Sequence, residues 1–224
     1  DAVMHFSAKS LVGESVTHPE LYFDNNVVGS RQLLDAMRRH SVERFIFSST
    51  AAVYGTPETK VIAEDHPTRP INPYGETKLA VENMLQQYAI FGIRSIALRY
   101  FNAAGADSTG DIGEAHNPET HLIPNVLESA LSEGSNRLKI FGTDYPTPDG
   151  TCVRDYIHVS DLAQAHLLAL QHLDLTEGFN VFNLGNGAGF SVQEVLASCE
   201  QVIGKSIAHD IEGRREGDPA ILVA

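Results

Sequence analysis

The chain has 224 residues, 42% of them hydrophobic, and a formal net charge of −13 from 16 basic and 29 acidic side chains. That length holds one large α/β domain, or one domain with part of a second, around an ordinary core. The acidic balance disfavours nucleic acid, whose binding draws on released counterions, and no apolar run approaches the ~18 residues needed to cross a bilayer.

Cys152 and Cys199 are the two cysteines, too few and too distant for a disulfide scaffold. The ten histidines include no H-E-x-x-H pair, so scattered histidines and no metal site are expected. The expected setting is the cytoplasm, with neither a membrane nor a nucleic-acid partner.

The chain opens on Asp1 and an apolar run and closes on Ala220 to Ala224, so both ends read as cut within elements. Between them, strands are expected at 3–7, 44–49, 95–101, 138–141, 153–158 and 180–184. Helices are expected near 24–40, 74–91, 122–133, 160–173 and 191–203. Near-continuous apolar strands alternating with amphipathic helices predict a Rossmann-like parallel sheet covered on both faces, with a smaller α/β region beside it. Ser191 with Glu194 forms a capping box, and Ser160 with Asp161 supplies an acceptor and a negative charge at another helix start. Segments 103–121 and 142–151, rich in Gly, Pro, Asp, Asn and Thr, read as loops.

Chemistry first shows at Tyr74 and Lys78. Four residues apart on a helix, they share a face. A phenol, ordinarily with a pKa of about 10, becomes a usable base when a neighbouring ammonium favours the phenolate. Upstream, Ser48-Ser49-Thr50 ends a strand at its C-terminal side, where open α/β sheets bind ligands, so Thr50 can share a substrate hydroxyl with Tyr74. A second candidate, Gly185-Asn186-Gly187-Ala188-Gly189, follows a strand and precedes a helix. Its G-x-G-x-G spacing departs from the dinucleotide fingerprint, and a structural loop is the better reading.

Ser48-Ser49-Thr50-Ala51-Ala52-Val53-Tyr54-Gly55, Asn72-Pro73-Tyr74-Gly75-Glu76-Thr77-Lys78 and Leu98-Arg99-Tyr100-Phe101-Asn102 resemble the extended short-chain dehydrogenase/reductase superfamily. Gly150 to Val159 and Arg214-Arg215-Glu216-Gly217-Asp218 narrow the resemblance to the UDP-glucose 4-epimerases, over essentially the whole chain. The resemblance implies a transient oxidation at C4 of a UDP-hexose with bound NAD, interconverting UDP-glucose and UDP-galactose. Tyr74 would be the base, with Lys78 and Thr50 as the other catalytic groups. Phe6, Ala8, Asn25, Ser48, Ser49 and Tyr100 would line the cofactor, together with Tyr74 and Lys78. Asn102, His121, Leu122, Phe141, Arg154, Arg215 and Asp218 would join Thr50 and Tyr74 in holding the UDP-sugar.

The resemblance also implies a homodimer using the helices at 24–40 and 74–91, and a glycine-rich cofactor loop upstream of Asp1. It divides the chain into a cofactor domain, 1–102 with about 152–173, and a substrate region, about 103–151 with 174–224. A related dehydratase would carry Asp-Glu after Thr50, where this chain has Ala51-Ala52. Epimerases of UDP-pentoses or UDP-N-acetylhexosamines are the alternative within the group. A non-catalytic module binding NAD or a nucleotide sugar is the alternative outside it.

Overall fold

The computed structural model describes residues 1–132, 136–215 and 218–224. The main sheet has the order β1 (Ala2–His5), β2 (Arg44–Thr50), β3 (Arg94–Tyr100) and Phe179–Leu184, with every pairing parallel. Its central strands are buried on both faces because alternate residues face different helices. Phe45 and Phe47 of β2 pack with Leu34, Met37, Val81 and Leu85 in one cluster. Ile46, Ile96 and Leu98 pack with Ala169 and Leu173 in another. Full burial of such a side chain is worth about 1.5–3 kcal/mol, so these two layers fix β2 and β3 as the rigid floor of the molecule.

Between β1 and β2 the chain forms α1 (Val12–Thr17), α2 (Pro19–Tyr22), a π-helical turn (Phe23–Val28) and α3 (Gly29–Arg39). The single helix expected at 24–40 therefore begins as a π turn, a distortion that often accompanies functional positions. Helix α4 (Pro73–Tyr88) starts with Pro73 at its first position and the Asn72 side chain accepting from the Gly75 amide at 2.9 Å, a strong local start signal.

After β4 (Asn102–Ala104) come α5 (Leu122–Leu131), β5 (Leu138–Phe141), β6 (Val153–Arg154) and β7 (Tyr156–His158). Helix α6 (Val159–His172), β8 (Phe179–Leu184), β9 (Phe190–Ser191), α7 (Val192–Ile203), β10 (His209–Glu212) and β11 (Ile221–Leu222) complete the order. Helices α5 and α7 close a smaller core around Val126, Leu138, Ile140, Leu196 and Ile207. Among the described residues its small sheets are β10 with β5, β11 with β6 and β9, and β4 with β7.

Strand β8 pairs with β3 in the main sheet, although the resemblance groups its segment with the smaller region at 174–224. Two expectations need correction. The strand expected at 153–158 is two strands in two different sheets. Asp155 separates them: its carbonyl accepts from the Asn102 backbone and side chain at 3.1 and 2.7 Å. Helix α6 is capped by His158, whose Nδ1 accepts from the Ser160 amide at 3.2 Å, and not by Ser160. The capping box of Ser191 and Glu194 is present in full.

Candidate active site

The C-terminal ends of β1, β2 and β3 meet the first turns of α4. Lys78 is 4% exposed, and its Nζ donates to the Ser48 carbonyl at 2.8 Å. The same nitrogen lies 4.8 Å from the Phe47 ring centroid and 5.9 Å from that of Tyr74. The two side chains converge, as helical spacing requires. Thr50 accepts from the Ala52 amide at 3.2 Å, and its hydroxyl also hydrogen-bonds the Tyr74 phenol.

The electrostatics differ from the expectation. Burial raises the Tyr74 pKa above that of an ordinary phenol, and the Thr50 hydrogen bond only partly opposes this. Burial likewise lowers Lys78 to about 8, against the attraction of Glu82 one turn further on. The expected lowering by Lys78 does not set the direction, because a phenolate loses more solvation in this pocket than the Thr50 hydrogen bond returns.

Around this pair the hydroxyls form a directed chain. His166 Nδ1 faces the Leu162 carbonyl at 2.7 Å; a carbonyl only accepts, so this nitrogen carries the proton. In the neutral ring Nε2 then accepts from Tyr100 at 2.6 Å, and Tyr100 shares a 3.0 Å hydrogen bond with Ser48. Burial pushes the Tyr100 phenol up to about 12. Phe6, 60% exposed at the end of β1, packs on the His166 ring with centroids 4.8 Å apart.

Ser48, Thr50, Tyr74, Lys78, Tyr100 and Phe6 are thus brought together. Ser49 faces the other side of the sheet, where its hydroxyl donates to Glu82 at 2.5 Å. Asn25 is exposed and donates to the buried Asn26. Asn26 in turn holds Lys9 through both its amide and its carbonyl, and hydrogen-bonds Thr77 on α4. It ties the loop carrying Ala8 to the helix carrying Lys78.

Sequence reasoning missed Asn26, His166 and Glu82. The doubled asparagine and the second four-residue step from Lys78 to Glu82 were available signals. Nothing local marks His166. The apolar Phe6 ring, the Ser48 hydroxyl and the buried ammonium at one strand end are a donor set that suits a nicotinamide nucleoside.

A second group gathers near β6. Arg154 donates to Asp218 at 3.0 Å and to the Pro219 carbonyl at 2.9 Å. The Arg215 guanidinium stacks 3.9 Å above the Phe141 ring. The Asp218 amide also donates to the Arg215 carbonyl at 3.4 Å, which brings the two arginine positions together at Asp218. Asp155 is not the partner of Arg154, as adjacency in sequence suggests. Its carboxylate sits in the Gly185–Gly187 turn, accepting from the amides of Asn186, Gly187 and Ala224 at 2.6, 2.9 and 3.1 Å. A Cβ on Gly185 would lie 2.6 Å from that carboxylate, so the loop cradles an anion, but one supplied by the chain itself.

Leu122 packs on the small core beside Val126 and Leu138. His121 is the N-cap of α5, and its ring turns to Glu114. No described helix is long and apolar enough to cross a membrane.

Residues 1–185 match the model of the NAD dependent epimerase/dehydratase family. A curated UDP-glucose 4-epimerase of Halalkalibacterium halodurans is 56% identical over 225 residues, which cover this whole chain and 67% of the relative. Among solved structures, the UDP-glucose 4-epimerase of Brucella ovis in complex with NAD superposes with a TM-score of 0.95 at 50% identity, covering all of this chain and 69% of that one. The enzyme of Bifidobacterium longum in complex with NAD+ and UDP gives 0.93 at 43% identity, covering all of this chain and 68% of that one.

Proposed function

The chain belongs to the NAD dependent epimerase/dehydratase family, and we propose that it carries the catalytic pair of an enzyme interconverting UDP-glucose and UDP-galactose. The observation that supports this most is the convergence of Thr50, Tyr74 and Lys78 at the C-terminal end of β2. NAD, when bound, supplies reversible hydride acceptance. Phe6, Ser48, Lys78 and Tyr100 are the residues that would hold its nicotinamide end.

The work of the chain's own residues is proton transfer and positioning. Thr50 donates to Tyr74 and orients the phenol. The Tyr74 oxygen takes the proton of the sugar 4-hydroxyl as hydride departs from C4, and gives it back when hydride returns to the opposite face. The raised pKa of Tyr74 means that the base form needs further positive charge in the pocket, which oxidised nicotinamide provides. Arg154 and Arg215 are forked donors suited to a diphosphate, and Asp218 to ribose hydroxyls. Their separation from Tyr74 anchors the nucleotide while the sugar turns.

A homodimer through α3 and α4, and a cytoplasmic setting, complete the proposal. Exposed Phe23 and Phe91 flank those helices. The test is a chimera in which this chain replaces the matching part of the Halalkalibacterium halodurans enzyme. Incubation with UDP-galactose and NAD should yield UDP-glucose in a coupled assay. NAD binding without any epimerised product overturns the reading.

A further inference from the structure

The loop before α5 carries a short duplication, Glu114-Ala115-His116 and Glu119-Thr120-His121, of which the proton-transfer scheme uses no residue. In an Glu-x-His unit of extended chain the two side chains leave on the same side. The structure folds the two units onto each other. Nδ1 of His116 and Nδ1 of His121 both face Glu114 Oε1, the first at 2.7 Å and the second closer. Glu119 completes the group, with Oε2 3.8 Å from His116 and Oε1 3.5 Å from His121. One ligand atom from each of the four residues lies within 4.8 Å of all the others.

Ligand atoms on a tetrahedron with bonds of about 2.0–2.1 Å stand roughly 3.4 Å apart, so seating an ion opens the two Glu114 contacts and draws the Glu119 contacts slightly inward. Glu119 is already fixed for that purpose. Its side chain is 8% exposed, and its Oε1 accepts the amides of Thr120 and His121, both at 2.7 Å. Such outer hydrogen bonds orient a ligating carboxylate.

We propose that Glu114, His116, Glu119 and His121 form a binding site for a divalent transition-metal ion. Two imidazole nitrogens and two carboxylate oxygens suit zinc, cobalt or nickel better than calcium or magnesium, which prefer all-oxygen shells. Four protein donors leave no open position, so the ion is structural. It pins the 105–121 loop to the start of α5, where His121 occupies the N-cap position. The site uses no atom of Thr50, Tyr74 or Lys78, but it assigns the His121 ring to the ion and not to the UDP-sugar, where the family resemblance would put it.

The test uses the 224-residue chain, chelator-stripped and freed of any affinity tag, titrated with Zn2+ by calorimetry and with Co2+ by visible absorption. One ion per chain, with the bands of tetrahedral Co2+, is the expected result. The double variant His116→Ala/His121→Ala should lose at least about 100-fold in affinity, beyond the 10–100-fold that outer-shell changes cost. His18→Ala, at an exposed histidine elsewhere, should leave it unchanged. Both substitutions lie on the surface, so circular dichroism of the variants should match the parent. Absence of binding, or equal affinity in the parent and the double variant, overturns the proposal and leaves a hydrogen-bonded cluster.

Discussion

On and beneath the helix that carries Tyr74 the polar side chains are engaged by neighbours in the core, whereas Arg215 stands in solvent beside the paired Arg154 and Asp218. Lys78, Ser49, Glu82 and Arg99 are all buried, and they interlock: Arg99 donates to both carboxylate oxygens of Glu82 at 3.0 and 2.6 Å while Ser49 holds the same group. Arg215 instead lies exposed over one aromatic ring. A centre that transfers a proton needs fixed geometry and low dielectric, so its neighbours are locked. A surface that receives a charged nucleotide needs donors left available for it. Rigidity and availability are separated in space here, and three changes probe that separation.

The largest effect is expected from Arg99→Met, which strands the Glu82 carboxylate in the core beneath the catalytic helix. Removing one partner of a buried pair costs about 3–5 kcal/mol, read as a lowered urea midpoint. A loss typical of surface pairs would show that the buried network is not what holds β3 to α4.

Next is the pH dependence carried by Lys78. Burial depresses its pKa from 10.5 to about 8, so between these values the unfolded chain binds more protons than the folded one. Stability therefore rises with pH from about 8 toward the onset of tyrosine ionisation, by at most ~1.4 kcal/mol per pH unit. Lys78→Met should flatten that slope; an identical slope in the variant would remove Lys78 as its source. The smallest effect is Arg215→Ala, expected to weaken UDP binding about tenfold, the scale of one charge-assisted contact, with the melting temperature unchanged. Equal affinity by calorimetry would take Arg215 out of the nucleotide site.

How much of this was legible in the sequence follows the range of the interactions. Near-continuous apolar runs placed β2, β3, β5 and β8 within a residue or two, and the four-residue step brought Tyr74 to Lys78. Local chemistry found the Ser191 capping box. What escaped depends on contacts between distant segments. The break of 153–158 at Asp155 is set by Asn102, the Gly185–Gly187 turn and Ala224. The direction of the Tyr74 shift is set by burial, which periodicity does not report. The histidines read as scattered, because a duplicated Glu-x-His matches no metal motif until a loop folds it.

The central claim is that the Tyr74 oxygen is the proton acceptor in a pocket otherwise built for positioning. Tyr74→Phe in the Halalkalibacterium chimera tests it by removing that one atom. Turnover of UDP-galactose should fall by about 10²–10⁴-fold, the scale of a general base, with UDP affinity altered by no more than about twofold and NAD still bound. Turnover equal to the unsubstituted chimera would contradict the account.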